Sequence, residues 1–252
     1  VIVDGFIFYN EVDILEIRLE ELYPVVDKFV LIDSYQTFQG NANPGYFKVG
    51  HPRWEKYADK IIHVSTSFAG VADDPWAREA HQRNMISYYA KATFAPDDIL
   101  IVSDADEVPR RSAVKSLDTL DTPAHLTVRT YCYALNVRAG YDQAIKAARV
   151  RDVDNAQDLR KLDPINTKEI ENGGWHFSSL GDAEFISNKL KSFSHAELNV
   201  PQYTDIENIE RRMKNLTDLL DRSTFSLEEV DDTWPEAVKN NRERWEKYIW
   251  KR

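Results

Sequence analysis

The run Asp98-Ile99-Leu100-Ile101-Val102-Ser103-Asp104-Ala105-Asp106-Glu107-Val108-Pro109 decides how this chain is read. Its first half is almost wholly apolar, as expected of a strand covered on both faces. The strand runs into Asp-x-Asp at its C-terminal edge, where open α/β sheets bind ligands. On an extended chain alternate side chains share a face, so Asp104 and Asp106 point the same way. Two neighbouring carboxylates repel unless a cation lies between them. A hard divalent ion with oxygen ligands answers that need, and such ions also bind diphosphates. The plainer reading is an acidic turn that caps the next helix.

Outward from this strand the N-terminal half alternates strand and helix. Val1–Tyr9, Lys28–Asp33 and Lys60–Val64 read as strands. A helix with Ile14, Leu15, Leu19 and Leu22 on one stripe ends before Pro24, with Asn10 as its N-cap and Asp13 three residues on. Pro75–Phe94 reads as a second helix, and Thr37–Pro52, rich in Gly, Asn and Pro, as a loop. The pattern predicts an α/β fold with a mainly parallel, doubly wound open sheet flanked by helices. Beyond Pro109 come a short helix to about Leu120, a β-rich stretch over His125–Asn136, and a polar segment, Arg149–Thr167, without a clear signal. Gly173–Ser179 reads as a strand or its junction. Ala183–Phe193, Asp205–Leu220 and Pro235–Trp250 have helical spacing. The expected division is a catalytic domain over 1–200 and a helical extension over 201–252.

With 42% hydrophobic and 29% charged residues the composition is that of a soluble globular chain. The 42 acidic residues exceed the 32 basic ones, a net charge of −10 that argues against a nucleic-acid partner. Cys132 is the only cysteine, which excludes an intrachain disulfide and a cysteine-rich zinc site. No apolar run is long enough for a membrane span. Val1–Tyr9 reads as a strand and not a leader, and the start at Val1 leaves room for an upstream segment. A reducing, cytoplasmic setting is the expectation.

Several blocks together resemble glycosyltransferase family 17. They are Asp4-Gly5-Phe6-Ile7-Phe8-Tyr9-Asn10-Glu11, Asp27-Lys28-Phe29-Val30-Leu31-Ile32-Asp33, Thr37-Phe38-Gln39-Gly40 and Trp76-Ala77-Arg78-Glu79-Ala80-His81-Gln82-Arg83-Asn84. Asp13-Ile14-Leu15-Glu16-Ile17-Arg18-Leu19, Ser103–Pro109, Gly173-Gly174-Trp175-His176-Phe177-Ser178 and Lys189-Leu190 complete the set. The resemblance implies a GT-A fold, which is Rossmann-like, and inverting transfer from a UDP-sugar such as UDP-GlcNAc to a carbohydrate or glycan acceptor. It also implies a divalent ion, Mn2+ or Mg2+, on the donor diphosphate. The chain departs from the family at Asp33, where Glu is commoner, and at Asn43-Pro44-Gly45.

On this basis Asn10, Glu11 and Asp33 are candidates for ribose or uracil contacts, Asn10 serving equally well as an N-cap. Arg78, Arg83, Lys189 and Asp104 are candidates on the donor side, although Glu79 and Arg83 at i,i+4 also make an ordinary helix pair. Asp104 and Asp106 would hold the metal, with His176 or His195 as a further ligand. For the base, Glu184 comes first, Asp182 next, then Glu107; favourable charge at a helix N-terminus accounts equally for Asp182 and Glu184. Trp76 and Trp175 suit sugar stacking or a core. Two other functions stand beside the transferase. Phosphohydrolases of the haloacid dehalogenase class also carry Asp-x-Asp after an apolar strand, nearer the chain start, and a non-catalytic nucleotide-sugar-binding domain would keep the same fold.

Overall fold

The computed structural model describes residues 1–251. Strand β1 (Ile2–Ile7) lies between β2 (Lys28–Ser34) and β4 (Ile99–Asp104), parallel to both, and β3 (Ile61–Thr66) extends the parallel set beyond β2. Every residue of β1 is buried, because each face of the sheet carries a helix. Ile2 and Phe6 pack with Leu15 and Leu19 of α1 (Val12–Leu22). Val3 and Ile7 face the other way, against Ile86 and Ala90 of α2 (Pro75–Thr93). This is the doubly wound arrangement that the strand–helix alternation predicts. Gly5 fits beneath α2, where an added Cβ would lie 2.3 Å from Ile86 Cγ2.

The helix starts differ from one another. Asp74 caps α2 by accepting from Ala77 N at 2.7 Å, with Pro75 opening the helix. At α1 the N-cap is Glu11, not Asn10 as expected. The Glu11 Oε2 turns back to accept from the N–H groups of Tyr9 and Asn10, both at 3.1 Å.

After β4 the sheet continues with β5 (Glu107–Pro109), β6 (Ala124–Cys132), β7 (Val137–Arg149) and β8 (Lys168–Ser178). The order is β3-β2-β1-β4-β7-β6-β8-β5. Here β7 is antiparallel to β4 and β6, β8 is parallel to β6, and β5 is antiparallel to β8. The fold is thus mixed α/β and Rossmann-like, with a parallel N-terminal half and a mixed C-terminal half. Gly174 makes the β5–β8 contact possible: its φ is +148° and an added Cβ would meet Val108 O at 2.1 Å. Short helices α3 (Arg111–Lys115), α4 (Ala156–Lys161) and α5 (Ala183–Leu190) follow strands β5, β7 and β8.

The chain beyond residue 200 forms α6 (Pro201–Thr204), α7 (Ile206–Asn215), α8 (Glu236–Asn240), α9 (Arg242–Trp245) and the short strand β9 (Ser226–Leu227), which pairs with β7. The single helix expected over Pro235–Trp250 is broken at Asn241, whose backbone leaves the helical region and whose side chain caps α9. Helix α7 likewise stops early, at the left-handed Leu216. Trp234 and Trp245 bury against Ile14 and Ile17 on the outer face of α1. No helix among the described residues is long and apolar enough to cross a membrane.

Candidate active site

A cleft of about 380 Å3 opens at the C-terminal edge of the parallel strands. Asp104 ends β4 level with Ile7 of β1, so the Asp-x-Asp turn and the β1–α1 turn share this edge. The turn is braced from behind by the buried Arg18 of α1. Its guanidinium holds Asp4 through Nε at 2.7 Å and Nη2 at 2.5 Å, and donates to the carbonyls of Asp104 at 3.0 Å and Glu107 at 2.7 Å. With Ser103 Oγ as a further acceptor, Arg18 alone fixes the position of the whole acidic turn.

Asp104 is held by two arginines. Its Oδ1 accepts from Arg83 Nη2 at 2.8 Å and its Oδ2 from Arg160 Nη2 at 3.0 Å. Burial alone would raise its pKa, but Arg160 and then Arg83 hold it well below the usual carboxylate range. Arg160 also grips the buried Glu107, donating to Oε1 at 2.7 Å and, through Nη1, to Oε2. Glu107 Oε2 accepts the Asp104 N–H as well. Glu107 is therefore a bridge inside the turn, and not the free base that its sequence position suggested.

Asp106 faces the other wall. Its Oδ2 accepts from Lys189 Nζ at 2.7 Å, and its Oδ1 lies 3.8 Å from His176 Nε2. Burial opposes ionisation of Asp106 and is outweighed by Lys189 and His176, so its pKa is lowered. His176 Nδ1 bonds Asp142 Oδ2 at 2.8 Å, which turns Nε2 toward Asp106. Burial would lower the histidine pKa, yet the Asp142 bond and the Asp106 charge push it up to about 9. Glu11 also lines this wall; burial raises its pKa while Lys189 opposes the rise.

The charges here are unbalanced. Glu11, Glu79, Asp104, Asp106, Glu107 and Asp142 line the cleft, six carboxyl groups beside Arg83, Arg160 and Lys189. His176 would give up its proton on binding a metal, and a divalent cation suits this acidic excess. The 3.8 Å gap between Asp106 and His176 exceeds a hydrogen bond, and it matches two ligands about 2.1 Å from a shared ion. The oxygens and ring nitrogen of Glu107, Asp142 and His176 also come within 4.8 Å of one another. Arg160 occupies Glu107, however, and Asp142 serves the histidine, so those carboxylates stand behind Asp106 and His176.

The other sequence candidates separate. Glu184 is exposed on α5 and Asp182 caps that helix, accepting from Phe185 N at 2.8 Å; neither lines the cleft. The helix buries Ala183, Ile186 and Leu190, which turns Lys189 inward and Glu184 outward. His195 lines the cleft mouth, bonded to Glu197 at 2.6 Å and packed against Trp76, with no contact to Asp106. Arg78 braces the loop after β2 by donating to Phe38 O at 2.8 Å, and Asp73 pairs with it. Arg83 makes the i,i+4 pair with Glu79 that its spacing allowed and also pairs with Asp104, a contact not expected from the sequence, and it is buried beneath them. Asp33 pairs with His63 at 2.9 Å, away from the cleft lining, and its Oδ1 is buried without a partner among the described residues. Asn10 Oδ1 is in the same state. Trp175 is core, and Trp76 is open to the cleft.

The comparisons with known proteins agree with the sequence resemblance. A model of glycosyltransferase family 17 matches residues 1–233. The chain belongs to glycosyltransferase family 17. Within curated proteins, the β-1,4-mannosyl-glycoprotein 4-β-N-acetylglucosaminyltransferase of Mus musculus is 31% identical over 119 residues, covering 44% of this chain and 22% of that protein. The Homo sapiens protein of the same name is 30% identical over the same length and shares. The matched part is thus about a fifth of these relatives. Among solved structures, the inositol-1-phosphate CTP transferase from T. maritima superposes with a TM-score of 0.36 at 11% identity, over 82% of this chain and 96% of that one.

Two residues of this family 17 site escaped the sequence reading. Asp142 lies inside β7, which carried no recognised strand signal. Arg160 lies in the polar segment between β7 and β8; the one local cue there is Asn155, which caps α4 by accepting from Asp158 N.

Proposed function

We propose that this chain is an inverting glycosyltransferase that moves a sugar from a UDP-sugar donor to a hydroxyl of a glycan acceptor. The relatives' names make N-acetylglucosamine the first sugar to test. The observation that carries the reading is the opposed pair Asp106 and His176 beside Lys189, in a cleft at the strand ends where α/β sheets take nucleotides. Asp106 and His176 would hold a Mn2+ or Mg2+ ion, which supplies charge neutralisation at a diphosphate leaving group.

The chain's own groups account for the rest. Lys189 is kept charged by Asp106 and then Glu11, against the effect of burial, and supplies a fixed positive charge for phosphate oxygens. Asp104, clamped by two arginines, suits a fixed anchor for donor hydroxyls and not an aspartyl nucleophile, which weighs against the phosphohydrolase reading. The acceptor proton needs a carboxylate with a free oxygen. Among the described residues Glu11 Oε1 and Glu79 Oε2 have no hydrogen-bond partner, and both residues line the cleft. They replace Glu184 and Asp182 as the candidates for the base. In the test, UDP release from UDP-GlcNAc is followed with Mn2+ and glycoprotein acceptors. Release stimulated by acceptor supports the transferase; acceptor-independent phosphate release from sugar phosphates overturns it.

A further inference from the structure

Four tryptophans of this chain, Trp54, Trp175, Trp234 and Trp245, are each at most 4% exposed, whereas Trp76 is 46% exposed and lines the cleft. Tyr35, Tyr46, Tyr88 and Tyr141 are exposed too, but none of them lines the cleft, whereas the Trp76 indole forms part of its wall beside His195 and offers a flat apolar face to a ligand. We propose that Trp76 and Glu79, one turn apart on α2, form a carbohydrate subsite that receives a pyranose ring of the acceptor. The inference rests on the transferase reading of the same cleft and adds to it where the acceptor sits.

The platform is rigid. Asp74 and Pro75 fix the first turn of α2, so the indole projects from a capped helix and not from a loose loop. The His195 ring packs edge-on against it, with centroids 4.5 Å apart and planes at 82°. Glu197 holds His195 in turn, and Phe193 packs 5.3 Å behind. Trp76, Glu79 and Gln82 recur at three-residue spacing and all line the cleft, making one stripe from mouth to floor. The stripe ends at the acidic turn, because Arg83 Nη2 joins Glu79 Oε1 at 2.7 Å to Asp104 Oδ1 at 2.8 Å. Glu79 Oε2 is left for a partner from outside.

A pyranose matches this pair chemically. It presents a flat face of C–H groups, which stacks on an indole, and edge hydroxyls, which donate to a carboxylate. A nucleobase also stacks on aromatics, but the nucleotide edge lies at the ends of β1 and β2, lined by Phe8, Ser34 and Thr37.

The test uses the full chain with Mn2+ and UDP, and compares wild type, Trp76→Ala, Trp76→Phe and Glu79→Gln. Retention is read on an array of mannose-, N-acetylglucosamine- and galactose-terminated oligosaccharides, and nucleotide binding by the UDP-induced thermal shift. Wild type is expected to retain a subset of the oligosaccharides. Trp76→Ala and Glu79→Gln weaken retention by about ten-fold or more, Trp76→Phe keeps most of it, and all keep the UDP shift. Retention unchanged in either weakened variant overturns the subsite, as does a wild type that binds UDP but no oligosaccharide. Loss of the UDP shift in Trp76→Ala also overturns it, by assigning the indole to the nucleotide. Absence of a UDP shift in wild type removes the transferase reading first, and this inference with it.

Discussion

His176 Nε2 stands 3.8 Å from Asp106 Oδ1, and the histidine is turned to face it by the 2.8 Å bond from its other ring nitrogen to Asp142. A carboxylate behind a histidine fixes which nitrogen is offered to a metal, and loss of such partners weakens metal binding by about 10- to 100-fold. Asp142→Asn keeps the side-chain shape and the oxygen that accepts from Gln143 N and Ala144 N. The variant is expected to bind Mn2+ about 10- to 100-fold more weakly in the presence of UDP, with little change in folding. Calorimetric or EPR titration reads this directly; wild-type affinity would show that Asp142 does not position the histidine.

Arg160 is the clamp of the acidic turn. Its removal leaves Glu107, 2% exposed at its side chain, without a cation. Arg160→Met is expected to lower unfolding free energy by about 3 kcal/mol, the cost of a buried charge left unpaired. Adding Glu107→Gln should recover part of the loss, because the unpaired charge is then gone. A stability change below about 0.5 kcal/mol for Arg160→Met, by urea unfolding, would contradict the clamp.

The parallel half of this fold was legible because its strands are short apolar runs alternating with helices, the first of which carries an apolar stripe over Ile14, Leu15, Leu19 and Leu22. The mixed half was not. Strand β7 has Arg138, Gly140, Tyr141 and Gln143 in its first part, partly open to solvent, so neither alternation nor a continuous apolar run announces it. The Gly173-Gly174 pair was visible as a block, but only the packing gives its reason, the close approach of Val108 O. Asp104 and Asp106 could be found because one strand presents both. Arg160 could not, since its partners lie 53 and 56 residues earlier and nothing local marks a guanidinium for burial. Glu184 was misplaced by analogy with helix starts elsewhere; the buried stripe of Ala183, Ile186 and Leu190 turns it to solvent.

Asp13 ties the C-terminal end of the chain to α1. It accepts from Lys247 Nζ at 2.8 Å and Tyr248 Oη at 2.6 Å, and pairs with Arg53. Burial would raise its pKa, but these three partners hold it well below the usual carboxylate range. The folded state therefore favours the charged form. Its contribution is present above the unfolded pKa of about 3.9 and is lost as the pH falls toward the folded value. Wild type should lose about 1 kcal/mol more than Asp13→Asn between about pH 5 and about pH 3, a modest figure for a partly solvated cluster. Parallel pH dependences in urea unfolding would contradict the assignment.

The most direct measurement is thermal unfolding of the full chain with UDP and Mn2+, singly and together, in wild type and Asp106→Ala. A ligand that binds only the native state raises the unfolding temperature by mass action. UDP with Mn2+ is expected to raise it in wild type by about 5 to 10 °C at about a hundred times the Kd, with neither alone giving that shift. Asp106→Ala should fold and show no joint shift. A UDP shift that is independent of metal and survives in Asp106→Ala, or no shift in wild type, would contradict a metal-assisted diphosphate site at Asp106 and His176.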